Sequence, residues 1–261
     1  MDIGRSRIRY AFRDLPLDPA PAISLDRGMH IHLVHAHPEQ KSFTAAMRDV
    51  IVATLESEGH SVTVSDLYAM NFNPVASAAD FGERRNPDHL TYALEQRHNY
   101  QAGTLAPDIA EEIARVLAAD MLGFTFPLHW FGTPAILKGW FERVMISGPF
   151  YGGKRVYGAG GLAGKRAFTA FGLGGRPHMF GPGSLHGPLE SGMMKHFFQG
   201  TLGYVGLEVI APFIAWHVPY VSDADRTKML ADLATYVRTL DDQPRLEMPD
   251  LSDFDETFKP V

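Results

Sequence analysis

The chain has 261 residues, 45% of them hydrophobic, 21% charged and 11% aromatic. This is an ordinary globular composition that excludes disordered, collagen-like and coiled-coil classes. Lys and Arg number 24 against 30 Asp and Glu, a net charge of −6 that argues against nucleic acid or an anionic membrane as the main partner. With no cysteine, disulfides, thiolate zinc sites, iron–sulfur clusters and Cys nucleophiles are all absent, so redox chemistry would need a bound cofactor.

Residues 1–28 mix Arg and Asp and hold no apolar run of signal-peptide length. No stretch of the chain reaches the roughly 18 to 20 apolar residues of a membrane span. The expectation is an N-terminal extension (1–28), one α/β domain (29–242) and an irregular tail (243–261), in a cytoplasmic protein.

Met29 to Ala36 (MHIHLVHA) is the first strand candidate. A helix follows from about Ser42, its N-cap, with a stripe of Phe43, Met47, Val50 and Thr54, and Gly59 stops it. Ser61 to Asp66 is a short strand, and Leu67 to Ala106 reads as one long polar connection. Pro107 to Ala118 is a helix, and Met121 to Pro127 (MLGFTFP) is a strand buried on both faces. Pro134 to Val144 is a helix with Pro at its first turn. Arg166 to Phe171 is another strand, Leu189 to Tyr204 a helix and Leu207 to Ala215 a fifth strand. The last helix places Met229, Leu233, Tyr236, Val237 and Leu240 on one face.

Strands alternating with helices imply a doubly wound five-stranded parallel sheet with helices on both faces. Ligands of such a sheet bind at the carboxyl ends of its strands, where strand order reverses. Three loops leave those ends. In the first, His37 to Thr44 (HPEQKSFT), helix-start amides with the Ser42 and Thr44 hydroxyls suit a phosphate, although a plain helix cap is the simpler reading. Neither GxGxxG nor a P-loop is present. The second, Leu128 to Pro134, presents Trp130 and Phe131 as a flat apolar wall for a planar heteroaromatic ligand. The third, Gly172 to Gly187, is glycine-rich enough to lie flat against a ring system, and His186 near its end is a titratable group. His30, His32, His35 and His37 alternate along the first strand, so no face collects three ligands and no metal site is expected. Surface or supporting roles suit most of them.

SDLYAMNFNP (Ser65 to Pro74) and FPLHWFGTPAILKGWFERV (Phe126 to Val144) resemble the flavin-dependent NAD(P)H:quinone reductases of the DT-diaphorase type, over about Met29 to Leu240. The resemblance implies a flavodoxin-like fold, a homodimer with two sites at its interface, tightly bound FAD in preference to FMN, and two-electron quinone reduction by ping-pong with NAD(P)H. By position, His37, Ser42, Phe43 and Thr44 match the loop holding the FAD phosphates and adenosine. Pro127, Leu128, His129, Trp130 and Phe131 match the stretch along the isoalloxazine, with His129 where mammalian members have Gln. Gly174 and Gly175 match a glycine pair against the ring, and Arg226 an Arg near the adenosine. Tyr151 matches a tyrosine reaching the partner's site, where Trp130, Phe131 and Met179 also face the substrate. The catalytic pair is His186 and Phe180, but Phe180 stands where the family has Tyr. Gly153 replaces a second interface tyrosine, and the long C-terminal extension of mammalian members is absent. A rival reading is a soluble ancillary subunit of a potassium-efflux system, with the N-terminal extension and the acidic stretch Asp241 to Asp255 as docking surfaces. The plain reading of that stretch is a solvated end.

Overall fold

The computed structural model describes residues 28–261, so all but the last residue of the expected N-terminal extension lies outside the described residues. Strands β1 (His30–His35), β2 (Ser61–Asp66), β3 (Met121–Pro127), β4 (Arg166–Gly172), β5 (Glu208–Val209) and β6 (Phe213–Ala215) form one sheet. Its order is β2-β1-β3-β4-β5, with β6 also on β4, and every pair is parallel. Helices α1 (Phe43–Ser57), α2 (Tyr92–Ala102), α3 (Pro107–Ala118), α4 (Ala135–Val144), α5 (Lys195–Phe197) and α6 (Asp223–Arg238) complete it. β3 and β4 are buried along almost their whole length because helices cover both faces of the sheet. On one face α1 and α6 pack over Ile31, Leu33 and Phe168. On the other, α3 and α4 bury Phe124, Trp140 and Phe141. Strand order reverses between β1 and β3, and the fold is the flavodoxin-like doubly wound α/β class.

Five features differ from the sequence expectation. The connection 67–106 contains α2, whose inner residues are the polar Glu95, Gln96 and Asn99. Glu95 accepts the amides of Arg85 (2.8 Å) and Asn86 (3.0 Å), and Gln96 donates to the Glu142 carbonyl (2.8 Å). A helix that docks through hydrogen bonds carries no apolar stripe to read. Leu189 to Tyr204 is not one regular helix: wide π turns at Leu189–Met193 and Phe198–Gly203 flank the single turn of α5. The fifth strand is broken into β5 and β6, because Pro212 has no N–H for the ladder and Ala211 donates to Pro244 instead (2.8 Å). The start of the tail therefore packs on the sheet edge: Leu246 donates to Val209 (2.8 Å), and Leu246 and Met248 sit against the core. The stripe of α1 is also rotated slightly, with Ile51 buried in place of Val50.

Both family-like motifs are structural partners of each other. A Cβ on Gly139 would lie 2.1 Å from the Pro74 carbonyl oxygen, so α4 meets the NFNP turn backbone to backbone. Buried Arg143 then donates to the Asn73 carbonyl (2.8 Å), Asp80 (2.8 Å) and Asp108 (2.6 Å), with its guanidinium over the Phe72 ring. This clamp fixes α4, and with it the loop that follows β3.

Candidate active site

The loops after β1, β3, β4 and β6 meet at the carboxyl-end edge of the sheet, beside the β1/β3 reversal. After β1, Ser42 caps α1, its Oγ accepting the Ala45 amide (3.0 Å). The first-turn amides, which include those of Phe43 and Thr44, have no acceptor within the helix and suit an anion. His37 Nδ1 accepts the Glu39 amide (3.0 Å) and closes the turn before the cap. Burial holds the His37 pKa below its usual value, and nearby His129 lowers it further, against an opposing hydrogen bond at Glu39. His37 is therefore neutral at pH 7, and its proximity to His129 brings the first and second loops together.

After β3, His129 and Gly132 exchange backbone hydrogen bonds (3.0 and 2.9 Å) across a two-residue turn. Both central residues are left-handed, Trp130 at φ 51° and Phe131 at φ 57°. A turn of this hand normally takes Asn or Gly, so two bulky residues there store strain of roughly 1 to 3 kcal/mol each. Trp130 is 99% exposed and gains no packing in return. Leu128 donates to the Gly172 carbonyl (2.8 Å), tying the loop to the end of β4, beside Pro127.

After β4, Gly174 is open to solvent, while a Cβ on Gly175 would meet the Phe180 ring at 2.7 Å. The glycine pair is held from β6 by His217, a residue that sequence reasoning missed. Its Nδ1 lies 2.7 Å from the Gly174 carbonyl and its amide donates to Gly175 (2.9 Å). His217 is left-handed (φ 58°), and no sequence pattern marks a histidine for that role. The rings of Phe180 and His186 lie 5.1 Å apart, and Phe131 lies 6.3 and 5.1 Å from them. The His186 amide donates to Met179 (2.9 Å), which places Met179 beside this group. Phe180 brings no hydroxyl, so His186 is the one titratable side chain in the cluster.

Arg226, in the first turn of α6, donates to Asp223 (2.7 Å) and to the Val218 carbonyl (3.1 Å) on the same edge of the molecule. Tyr151 stands apart from the Phe131–Phe180–His186 group. Its ring packs at a tilt against Tyr204 (5.5 Å), which in turn meets Tyr157 (5.7 Å). Burial raises the Tyr151 phenol pKa, with Tyr204 adding to the rise and Arg97 opposing it. Tyr204 was another miss, since it falls in a segment read as plain helix.

The strand histidines divide as the alternation requires: His30 and His37 are partly exposed, but the other two are not surface residues. His32 and His35 are fully buried. His32 Nδ1 lies 2.9 Å from Thr63 Oγ1, and its Nε2 lies 3.9 Å from buried Glu112. Burial alone would raise the Glu112 pKa, but His32, Trp140 Nε1 (2.7 Å) and Ser65 Oγ (2.8 Å) outweigh it and hold the carboxyl at about 2. Both ring nitrogens of His35 lack a partner, and burial lowers its pKa to about 4. No group of three His, Asp or Glu among the described residues is arranged to hold a metal.

A helix start for phosphates, a strained exposed aromatic turn and a glycine pair beside the Phe180 ring converge, and these residues fit a flavin. The chain matches the model of the flavodoxin-like fold over residues 29–238. It is 38% identical over 218 residues to the mouse (Mus musculus) ribosyldihydronicotinamide dehydrogenase [quinone], covering 82% of this chain and 92% of that one. It is 36% identical over 228 residues to NAD(P)H dehydrogenase [quinone] 1 of Cavia porcellus, covering 87% and 82%. The crystal structure of a candidate quinone reductase from Klebsiella pneumoniae superposes with a TM-score of 0.83 at 30% identity, covering 87% of this chain and 91% of that one. The chain belongs to the flavodoxin-like family of flavin-dependent quinone oxidoreductases.

Proposed function

We propose that this protein is an NAD(P)H:quinone oxidoreductase that holds FAD in preference to FMN, works by ping-pong as a homodimer and acts in the cytoplasm. The observation that carries the reading is the exposed, strained Trp130–Phe131 turn set against Phe180, His186 and the Gly174–Gly175 pair. When bound, the flavin supplies two-electron hydride chemistry that this cysteine-free chain has no side chain to perform. The α1 start with His37, Ser42 and Thr44 takes the phosphates, and Arg226 binds toward the adenosine end. Trp130 and Phe131 stack against the ring system and exclude water. His186 holds a proton near the ring edge where negative charge develops on reduction, a placement that lowers the barrier. Tyr151 with Tyr204 walls the acceptor pocket of the partner subunit.

The donor has two candidates. The chain spans 92% of the ribosyldihydronicotinamide enzyme but 82% of the NAD(P)H enzyme, which favours testing the nucleoside donor beside the dinucleotides. The ancillary-subunit reading is supported by no residue of the site. Identification of the flavin released on denaturation, followed by quinone-reductase assays with NADH, NADPH and ribosyldihydronicotinamide, tests the whole reading. A membrane pull-down beside those assays separates the enzyme from an ancillary subunit.

A further inference from the structure

Behind the third loop lies a cavity of about 630 Å³, within the range of small-molecule sites. Its apolar wall is formed by Phe180, Phe198, Ile214, Trp216, Leu246 and Met248. Phe180, Ile214, Trp216, Leu246 and Met248 are only half-buried, so their burial is incomplete. The cavity is not remote from the site. Phe180 is a shared partition: its ring meets Phe131 and His186 of the site as well as Trp216 (5.4 Å) in the cavity lining. The loop carrying Phe180 turns at Gly181, Gly183 and Gly187, all at positive φ (127°, 75° and 70°), so the partition is bounded by glycine joints.

The charges around this wall cancel. Arg245 is paired with Glu208 and also donates to the Leu240 carbonyl (3.1 Å). Glu190 sets a negative charge in the lining against Arg245, and burial raises its carboxyl pKa. Lys195 and Glu247, both exposed, contribute one charge of each sign. An apolar floor with balanced charges selects an uncharged, largely hydrocarbon ligand over an anion or a cation.

We propose that this cavity is an acceptor subsite that takes the prenyl chain of a lipophilic quinone whose ring stacks at Trp130, Phe131 and Phe180. The inference rests on the quinone-reductase reading. A ring substituent leaves the stack in the plane of the ring, and at the Phe180 edge the adjoining apolar volume is this cavity. Acceptors with a ten- to fifteen-carbon chain gain burial there that a short quinone does not.

The test compares 2,3-dimethoxy-5-methyl-1,4-benzoquinone with the same head carrying a geranyl or farnesyl chain, using flavin-loaded enzyme. The chain raises kcat/KM by tenfold or more. Met248→Lys, whose unbranched stem can follow Met248 across Gly203, removes that advantage and leaves the short quinone within twofold. Trp216→Ala removes it as well. Farnesol, which has no quinone ring, competes with the long-chain acceptor and not with the short one. It also binds the resting protein, measured by calorimetry, and Met248→Lys weakens that binding. Equal kcat/KM for short and long acceptors, or an advantage that survives Met248→Lys, overturns the subsite. Absence of quinone reduction altogether sinks the enzyme reading, while farnesol calorimetry still decides for or against the cavity.

Discussion

The strain at Trp130 gives a prediction in which stability and cofactor affinity move in opposite directions. Left-handed backbone costs a non-glycine L-residue about 1 to 2 kcal/mol, and Trp130→Gly removes that cost. Glycine's freer unfolded chain takes back about 0.4 to 1 kcal/mol. The side chain is 99% exposed, so its deletion forfeits almost no burial. The flavin-free protein should therefore gain between about 0 and 1.6 kcal/mol, a rise in Tm of up to about 6 °C for a domain of this size. Flavin affinity should fall tenfold or more, about 1.4 kcal/mol, because the stacking wall is gone. Trp130→Ala is the control, losing the same affinity without the gain in Tm, since alanine keeps the strained turn. Differential scanning calorimetry of flavin-free protein and flavin titration followed by fluorescence read the two quantities. A lower Tm for Trp130→Gly, or unchanged flavin affinity, would refute the assignment of this turn as the ring-stacking wall.

His186→Ala should slow flavin reduction by about ten- to a hundredfold in single-turnover kinetics, the worth of one hydrogen bond to a developing charge; reduction at the wild-type rate would remove His186 from the mechanism. Tyr151→Ala should raise KM for quinone with flavin content unchanged, whereas loss of flavin would place Tyr151 in the cofactor site. Acid should destabilise the fold in two windows. Buried His35 stays neutral to about pH 4 while the unfolded chain protonates near 6.5, so stability falls as pH drops from about 6.5 to 4, by at most about 3.4 kcal/mol. Urea melts of His35→Phe should be flatter over that range, and an unchanged slope would show that His35 does not set it. Glu112, ionised down to about pH 2 when folded and to about 4.5 when unfolded, adds a further loss between those values that Glu112→Gln should abolish.

Much of this fold was legible because its strands and α3 follow simple rules. β3 and β4 are largely apolar runs of the kind a covered parallel sheet demands, β1 sets apolar residues between its histidines, and α3 opens on Pro107 with Ile109, Ile113 and Val116 on its buried face. Placing those strands located the loops that hold His37, Trp130, Phe131, Gly174, Gly175 and His186. What could not be read depends on contacts distant in sequence. Helix α2 docks through Glu95 and Gln96, polar residues whose partners lie on other segments. His217 holds the glycine pair only because β6 lies beside β4. Tyr204 reaches Tyr151 through a segment whose π turns carry no periodic signature. The burial of His32 and His35 likewise comes from helix packing over a strand whose alternation alone was correctly read.

The most direct measurement is the absorbance spectrum of the purified protein, with chromatographic identification of whatever denaturation releases. A yellow dimer that releases one FAD per subunit is the predicted result. A colourless monomer that cannot be reconstituted with either FAD or FMN would contradict the account.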